Sequence, residues 1–146
     1  LSQLAIFEGG FSLDAARDII GAAPTGLNVL LSKSLIQRVP QAKQLGHQHQ
    51  IRFTVHPLLR HCIAAIKAET EINLAESQDK HCQYYLTFLQ KQGALLKTPE
   101  GDTALTNIAI EIDNVRSAWA RAIRQKDLSL LEASVPYLAR YYHLEG

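Results

Sequence analysis

The chain has 146 residues, 47% hydrophobic and 20% charged, with 15 Lys and Arg against 14 Asp and Glu. That length suits one domain or two small modules sharing a junction, and the composition excludes a disordered chain. A formal net charge of +1 offers no single-sign field for nucleic acid or an anionic membrane. No run approaches the roughly eighteen apolar residues that a membrane-spanning helix needs.

Two cysteines, Cys62 and Cys82, are too few for a disulfide framework. With no charged signal region they favour a reducing, cytoplasmic setting. The chain opens at Leu1 inside amphipathic spacing and contains no Met, which reads as a segment of a longer protein.

Helical spacing from Ser2 to Phe7 is stopped by Gly9-Gly10. Ser12 is placed to cap a second helix with Leu13, Ala16, Ile19 and Ile20 on one face. Gly21 and Pro24 mark the next turn, and Thr25 or Gly26 opens a third short helix carrying Leu27, Leu30 and Leu31. Leu35 to Val39 and Ile51 to Val55 alternate like strands, and the polar stretch from Pro40 to Gln50 between them predicts a hairpin with a long loop. Pro57 suits the first position of a following helix, where its missing N–H costs nothing. Leu58, Leu59, Cys62, Ile63 and Ile66 then form an apolar stripe.

Beyond about Lys67 the pattern is helical. Glu76 to Lys80 is polar and fits either a turn or an exposed helical face. Tyr84, Tyr85, Phe88 and Leu89 form an aromatic stripe that ends near Gly93, and Thr98 to Gly101 reads as a loop. Leu105, Ile108, Ile112, Val115, Trp119 and Ile123 recur at three- and four-residue steps. After Lys126-Asp127, the residues Leu128, Leu131, Val135, Leu138 and Tyr142 repeat that spacing, so two antiparallel helices are expected. Leu131, Val135 and Leu138 cannot all turn toward one partner helix, and self-association through this end is therefore expected. No exact internal repeat appears at a fixed period.

The predicted fold is mainly α. A winged helix of three helices plus a β-hairpin occupies residues 1–68, and an antiparallel, repeat-like helical segment occupies 69–146.

His61-Cys62 and His81-Cys82 offer soft metal ligands, but zinc needs side chains converging on one point. Adjacent helical residues diverge by about 100°, and twenty helical residues would separate the pairs by about 30 Å. Core cysteines and no metal site are the expectation. No phosphate-binding loop, nucleophile elbow or HExxH string is present, and Gly9-Gly10 lacks the third glycine of a dinucleotide loop. Glu111 and Asp113, two apart on a helix, suit a solvated face better than acid–base work. No catalytic residue is expected. A DNA-reading third helix would carry Arg, Lys, Asn or Gln toward base edges. Thr25 to Ser32 offers Asn28, with Lys33 just beyond, and the wing adds Lys43, His47 and His49. Direct DNA binding is not expected, although a winged-helix transcriptional regulator is the alternative reading. A purely structural helical scaffold is a further one.

Five strings occur in one order along nearly the whole chain. They are Ile6 to Ala16, Leu30 to Ile36, Phe53 to Arg60, His81 to Leu86, and Glu111 to Trp119. Together they resemble the winged helix and following helical region of bacterial NB-ARC-type regulators, members of the STAND class of signalling ATPases. The resemblance implies a non-catalytic regulatory and protein-interaction segment of a nucleotide-switched protein in signal transduction or transcription regulation. Its winged helix would act as a lid on the nucleotide-binding domain of the same chain, and its tetratricopeptide-like helices would meet protein partners. No cofactor is expected in this segment, whereas ADP or ATP with magnesium is expected in the parent.

The one site residue the resemblance implies is His56, whose counterpart reaches the β-phosphate of bound ADP and holds the closed state. A histidine at the head of a helix suits that role, because free N–H groups and the helix dipole favour an anion there. The family often carries Asp or Glu next. Pro57 stands there instead and removes one backbone donor.

Overall fold

The computed structural model describes residues 2–40, 51–65 and 71–146. The expected boundary at residue 68 falls outside them, as do Ile66 and the loop cations Lys43, His47 and His49. Two compact units emerge, Leu1–Gln78 and Asp79–Gly146. Their fold is mainly helical, with one small antiparallel sheet.

In the first unit, Ser2–Ile6 winds as a tight 3-10 turn that buries Leu4 and Ile6. The stop expected at Gly9-Gly10 is a turn in which both glycines have positive φ. Gly10 admits no side chain, since a Cβ there would stand 2.9 Å from the Phe53 carbonyl oxygen. That close approach lets the two-residue strand β1 (Phe11–Ser12) pair with β3 (Arg52–Val55), Phe11 opposite Phe53. Strand β2 (Ile36–Val39) flanks β3 on its other side, giving the order β1-β3-β2. A strand of two residues has no periodicity of its own, and alternation could not find it.

Ser12 caps α1 (Leu13–Ile20) as expected, its Oγ accepting from the Ala15 N–H at 3.1 Å. Gly21 closes α1 in the left-handed region, where it and Ala22 donate to the last carbonyls. Helix α2 (Pro24–Ser32) begins one residue earlier than expected, with Pro24 rather than Thr25 at its first position. Phe7, Phe11 and Phe53 pack their rings together over Ala15, Ala16, Ile19, Leu27 and Ile36 to make the core.

Helix α3 (Pro57–Ala65) starts at Pro57 as expected. Its apolar stripe does not hold as a core face: Ile63 is buried, Leu59 half-buried, and Leu58 and Cys62 exposed. The polar stretch Glu76 to Lys80 lies inside α4 (Glu71–Leu95), with Ser77 buried and accepting from the Gln3 amide.

The second unit contains the rest of α4 with α5 (Gly101–Gln125) and α6 (Leu128–Glu145). Asp79 meets Arg121 while Gln92 meets Asn107, so α4 and α5 run in opposite directions. Gln90 meets Ser134 and Gly93 meets Tyr137, so α4 and α6 run the same way. The core face of α5 is centred on Ala104, Ile108, Glu111, Val115, Ala118 and Ala122. The large apolar residues alone pointed to a neighbouring stripe, whose Ile123 is 52% exposed. Ala104, Ala118 and Ala122 are all buried on the face that α5 does turn to the core.

For α6 the correction is larger. It buries Ser134 and Tyr141, while Leu128, Val135 and Tyr142 of the expected stripe are exposed.

Candidate functional site at the head of α3

His56 sits between the buried end of β3 and the first turn of α3. Its N–H donates to the Leu35 carbonyl at 3.1 Å, and its own carbonyl accepts from the Arg60 N–H at 3.1 Å. The peptide is thus held from the sheet side and the helix side together. Its ring is a helix cap, with Nδ1 accepting from the Leu58 N–H at 3.2 Å.

That bond assigns the tautomer. A neutral imidazole that accepts at Nδ1 carries its proton on Nε2. The ring therefore presents an N–H donor from a half-buried position while its other nitrogen is tied to the backbone. Pro57 contributes no donor to the first turn, and Leu58 N–H is taken by His56, which leaves the Leu59 N–H.

One turn along, the Arg60 guanidinium donates to the Phe7 carbonyl at 2.8 Å and to Glu8 Oε2 at 3.3 Å. Arg60 ties α3 to the Glu8-Gly9-Gly10 loop, and a ligand at His56 would share Arg60 with the Glu8 carboxylate. The pair is half-exposed and contributes little by itself. Nothing in residue spacing pointed to Arg60 as a neighbour of Glu8, because the contact spans fifty-two positions.

On α2, Asn28 and Lys33 are exposed, as is the apolar Val29 beside them. Among the described residues, no group of three or more His, Cys, Asp or Glu is placed to hold a metal ion. Cys62 is exposed, not the core cysteine expected. Cys82 is buried, its Sγ donating to the Ala118 carbonyl at 3.3 Å, and burial raises its pKa.

Inside the second unit lies a polar cluster that helical spacing did not single out. Asn114 Nδ2 donates to Glu111 Oε2 at 2.9 Å, which turns Asn114 Oδ1 toward His81 Nε2 at 3.3 Å. All three residues are buried. Glu111 was expected on a solvated face; it lies instead on the core side of α5, where Asn114 satisfies it, while Asp113 does face solvent and pairs with Arg116. Burial lowers the His81 pKa to about 4, so the ring is neutral and Nε2–H donates to Asn114. At the rim, hydrogen bonds from Arg121 and Gln125 hold the Asp79 carboxyl below its ordinary range.

Comparison with protein-family models, with curated proteins and with solved structures returned no match to this chain.

Proposed function

We propose that this chain is a non-catalytic regulatory and protein-interaction segment of a nucleotide-switched, STAND-type ATPase, with His56 as its contact to bound ADP. The observation that carries the reading is the His56 tautomer. With Nδ1 committed to Leu58, the ring has one nitrogen left, and that nitrogen is a donor. A phosphate oxygen is the partner such a donor suits at a helix N-terminus.

The order turn, β1, α1, α2, β2, β3 with sheet order β1-β3-β2 supports a winged helix for the first unit. The three alternately directed helices of the second support a tetratricopeptide-like arm. The rival DNA-reading role gains little from α2, whose exposed face offers Asn28 and Lys33 beside Val29.

One nitrogen donor does not make a nucleotide site. The sequence carries no phosphate loop and no magnesium ligand set, so the chain alone is expected to bind neither ADP nor ATP. Calorimetric titration with each nucleotide and magnesium should give no heat beyond dilution up to about millimolar concentration. Micromolar binding would reassign the chain as a nucleotide-binding domain in its own right and remove the lid role.

A further inference from the structure

The outward side of α6 carries Leu128, Leu131, Val135, Leu138 and Tyr142 at steps of three, four, three and four residues. Leu128 is 66% exposed, Val135 47% and Tyr142 42%, while Leu131 and Leu138 are half-buried. Over α6 they make an apolar seam about 21 Å long. Tyr142 is held in place, its hydroxyl accepting from Arg116 Nε at 2.9 Å with the guanidinium over its ring. Pro136, beside Val135, removes one helical hydrogen bond, yet α6 remains helical from Leu128 to Glu145 and the seam continues through it.

The seam is nearly symmetric about Val135. A second copy laid antiparallel on it sets Val135 against Val135, Leu131 against Leu138, and Leu128 against Tyr142. Such self-complementarity is what a two-fold interface requires.

The flanking charges select the same arrangement. Exposed Arg124 and Lys126 stand just ahead of Leu128, and exposed Glu145 stands just beyond Tyr142. Antiparallel pairing brings each basic end against the partner's Glu145 and the negative end of its helix dipole. It also sets Glu132 opposite the partner's Leu138-Ala139 step, with no like charge across from it. Parallel pairing would oppose Lys126 to Lys126 and Glu145 to Glu145 and align the dipoles.

We propose that a second copy of this chain docks antiparallel along α6, with the two-fold axis at Val135. The seam is short, so the dimer is expected to be weak, with a dissociation constant on the order of ten micromolar. The proposal does not depend on the nucleotide role of His56.

Sedimentation equilibrium of the full 146-residue chain tests it, from a few micromolar to several hundred. Wild type should pass from monomer to dimer over that range. Val135→Glu sets two carboxylates together on the axis and should raise the dissociation constant at least tenfold, with an unchanged thermal midpoint because the site is exposed. Glu145→Lys should also weaken the dimer, and adding Arg124→Glu and Lys126→Glu should restore it, since each copy then presents the exchanged signs. A chain that stays monomeric throughout overturns the proposal and assigns the seam to a different occupant, such as a further helix. A dimer indifferent to Val135→Glu, or not restored by the exchange, overturns it as well.

Discussion

On acidification from pH 7 to 4.5, the helical unit Asp79–Gly146 is expected to lose about 2–3 kcal/mol of stability, most of it through His81. In the folded chain this ring is 3% exposed and its pKa is lowered to about 4, first by burial and further by the charge of Arg121. Its hydrogen bond to Asn114 opposes the shift only in part. In the unfolded chain the ring titrates at its ordinary 6.5.

The direction of the effect follows from proton counting. Above pH 6.5 neither state binds the proton, so His81 contributes no pH dependence. Between 6.5 and about 4 the unfolded state takes it up and the folded state does not, so stability falls as the pH falls. Below about 4 both states are protonated and the loss levels off. Asp79 acts lower on the scale, because its folded pKa is depressed: its contribution is present above the ordinary 3.8 and is lost as the pH falls through the lowered value. Glu100, held below its ordinary 4.5 by the Thr98 hydroxyl, enters only at the acid end, so the window from 6.5 to 4.5 reports chiefly His81.

Urea denaturation at pH 7 and 4.5, followed by the fluorescence of Trp119 on α5, reads this unit directly. His81→Leu should flatten the profile across the window, although it removes the hydrogen bond to Asn114 Oδ1 and lowers stability at pH 7. Equal slopes in wild type and His81→Leu would show that the buried ring is not the titrating group.

A second large effect is expected at Gly93, on the side of α4 that meets α6. A Cβ there would stand 2.6 Å from Tyr137 Cγ and Cδ1 and closer still to Tyr137 Cβ. That Cβ is fixed to the α6 backbone, so no rotamer change can make room and the helices must move apart. Gly93→Ala gains about 1 kcal/mol of helix propensity, but overpacking costs about 1–3 kcal/mol, and net destabilisation is expected. Gly93→Val adds two more carbons to the same gap and should lower stability by about 3 kcal/mol. Gly26 in α2 has nothing within 4 Å of its Cβ position; Gly26→Ala there should be neutral or stabilising by up to about 1 kcal/mol. Chemical denaturation of the three variants separates close packing from propensity. If Gly93→Val unfolds at the wild-type midpoint, α4 and α6 do not approach closely at that level.

Local chemistry made much of this fold legible in the sequence. Ser12 capped α1, Pro57 opened α3, and the alternating runs became β2 and β3, because caps, proline and strand alternation act within a few residues. Where the sequence misled, the deciding contact was distant. Glu111 read as a surface residue on a helix, and its burial is met by Asn114 Nδ2, whose own Oδ1 faces His81 on α4. Ala104, Ala118 and Ala122 carry little hydrophobic weight yet lie fully on the buried face of α5. On α6 the strongest apolar stripe turned outward, because Gly93 admits Tyr137 and Ser134 fits against Gln90.

At the candidate site the position of His56 was legible from its motif. Its tautomer was not, since that depends on the ring meeting the Leu58 N–H.

The rate of ADP release from the intact parent protein tests the His56 reading most directly. A hydrogen bond to a charged group contributes about 1.5–3 kcal/mol, so His56→Ala should speed ADP release by roughly ten- to a hundredfold and raise basal signalling. Alanine also removes the cap of α3, and His56→Asp separates the two roles: its carboxylate keeps an acceptor for the Leu58 N–H but offers no donor to a phosphate. The expected result is fast release from both variants with α3 still folded. Off-rates equal to wild type in both, or fast release from alanine but not from aspartate, would make His56 a helix cap and nothing more.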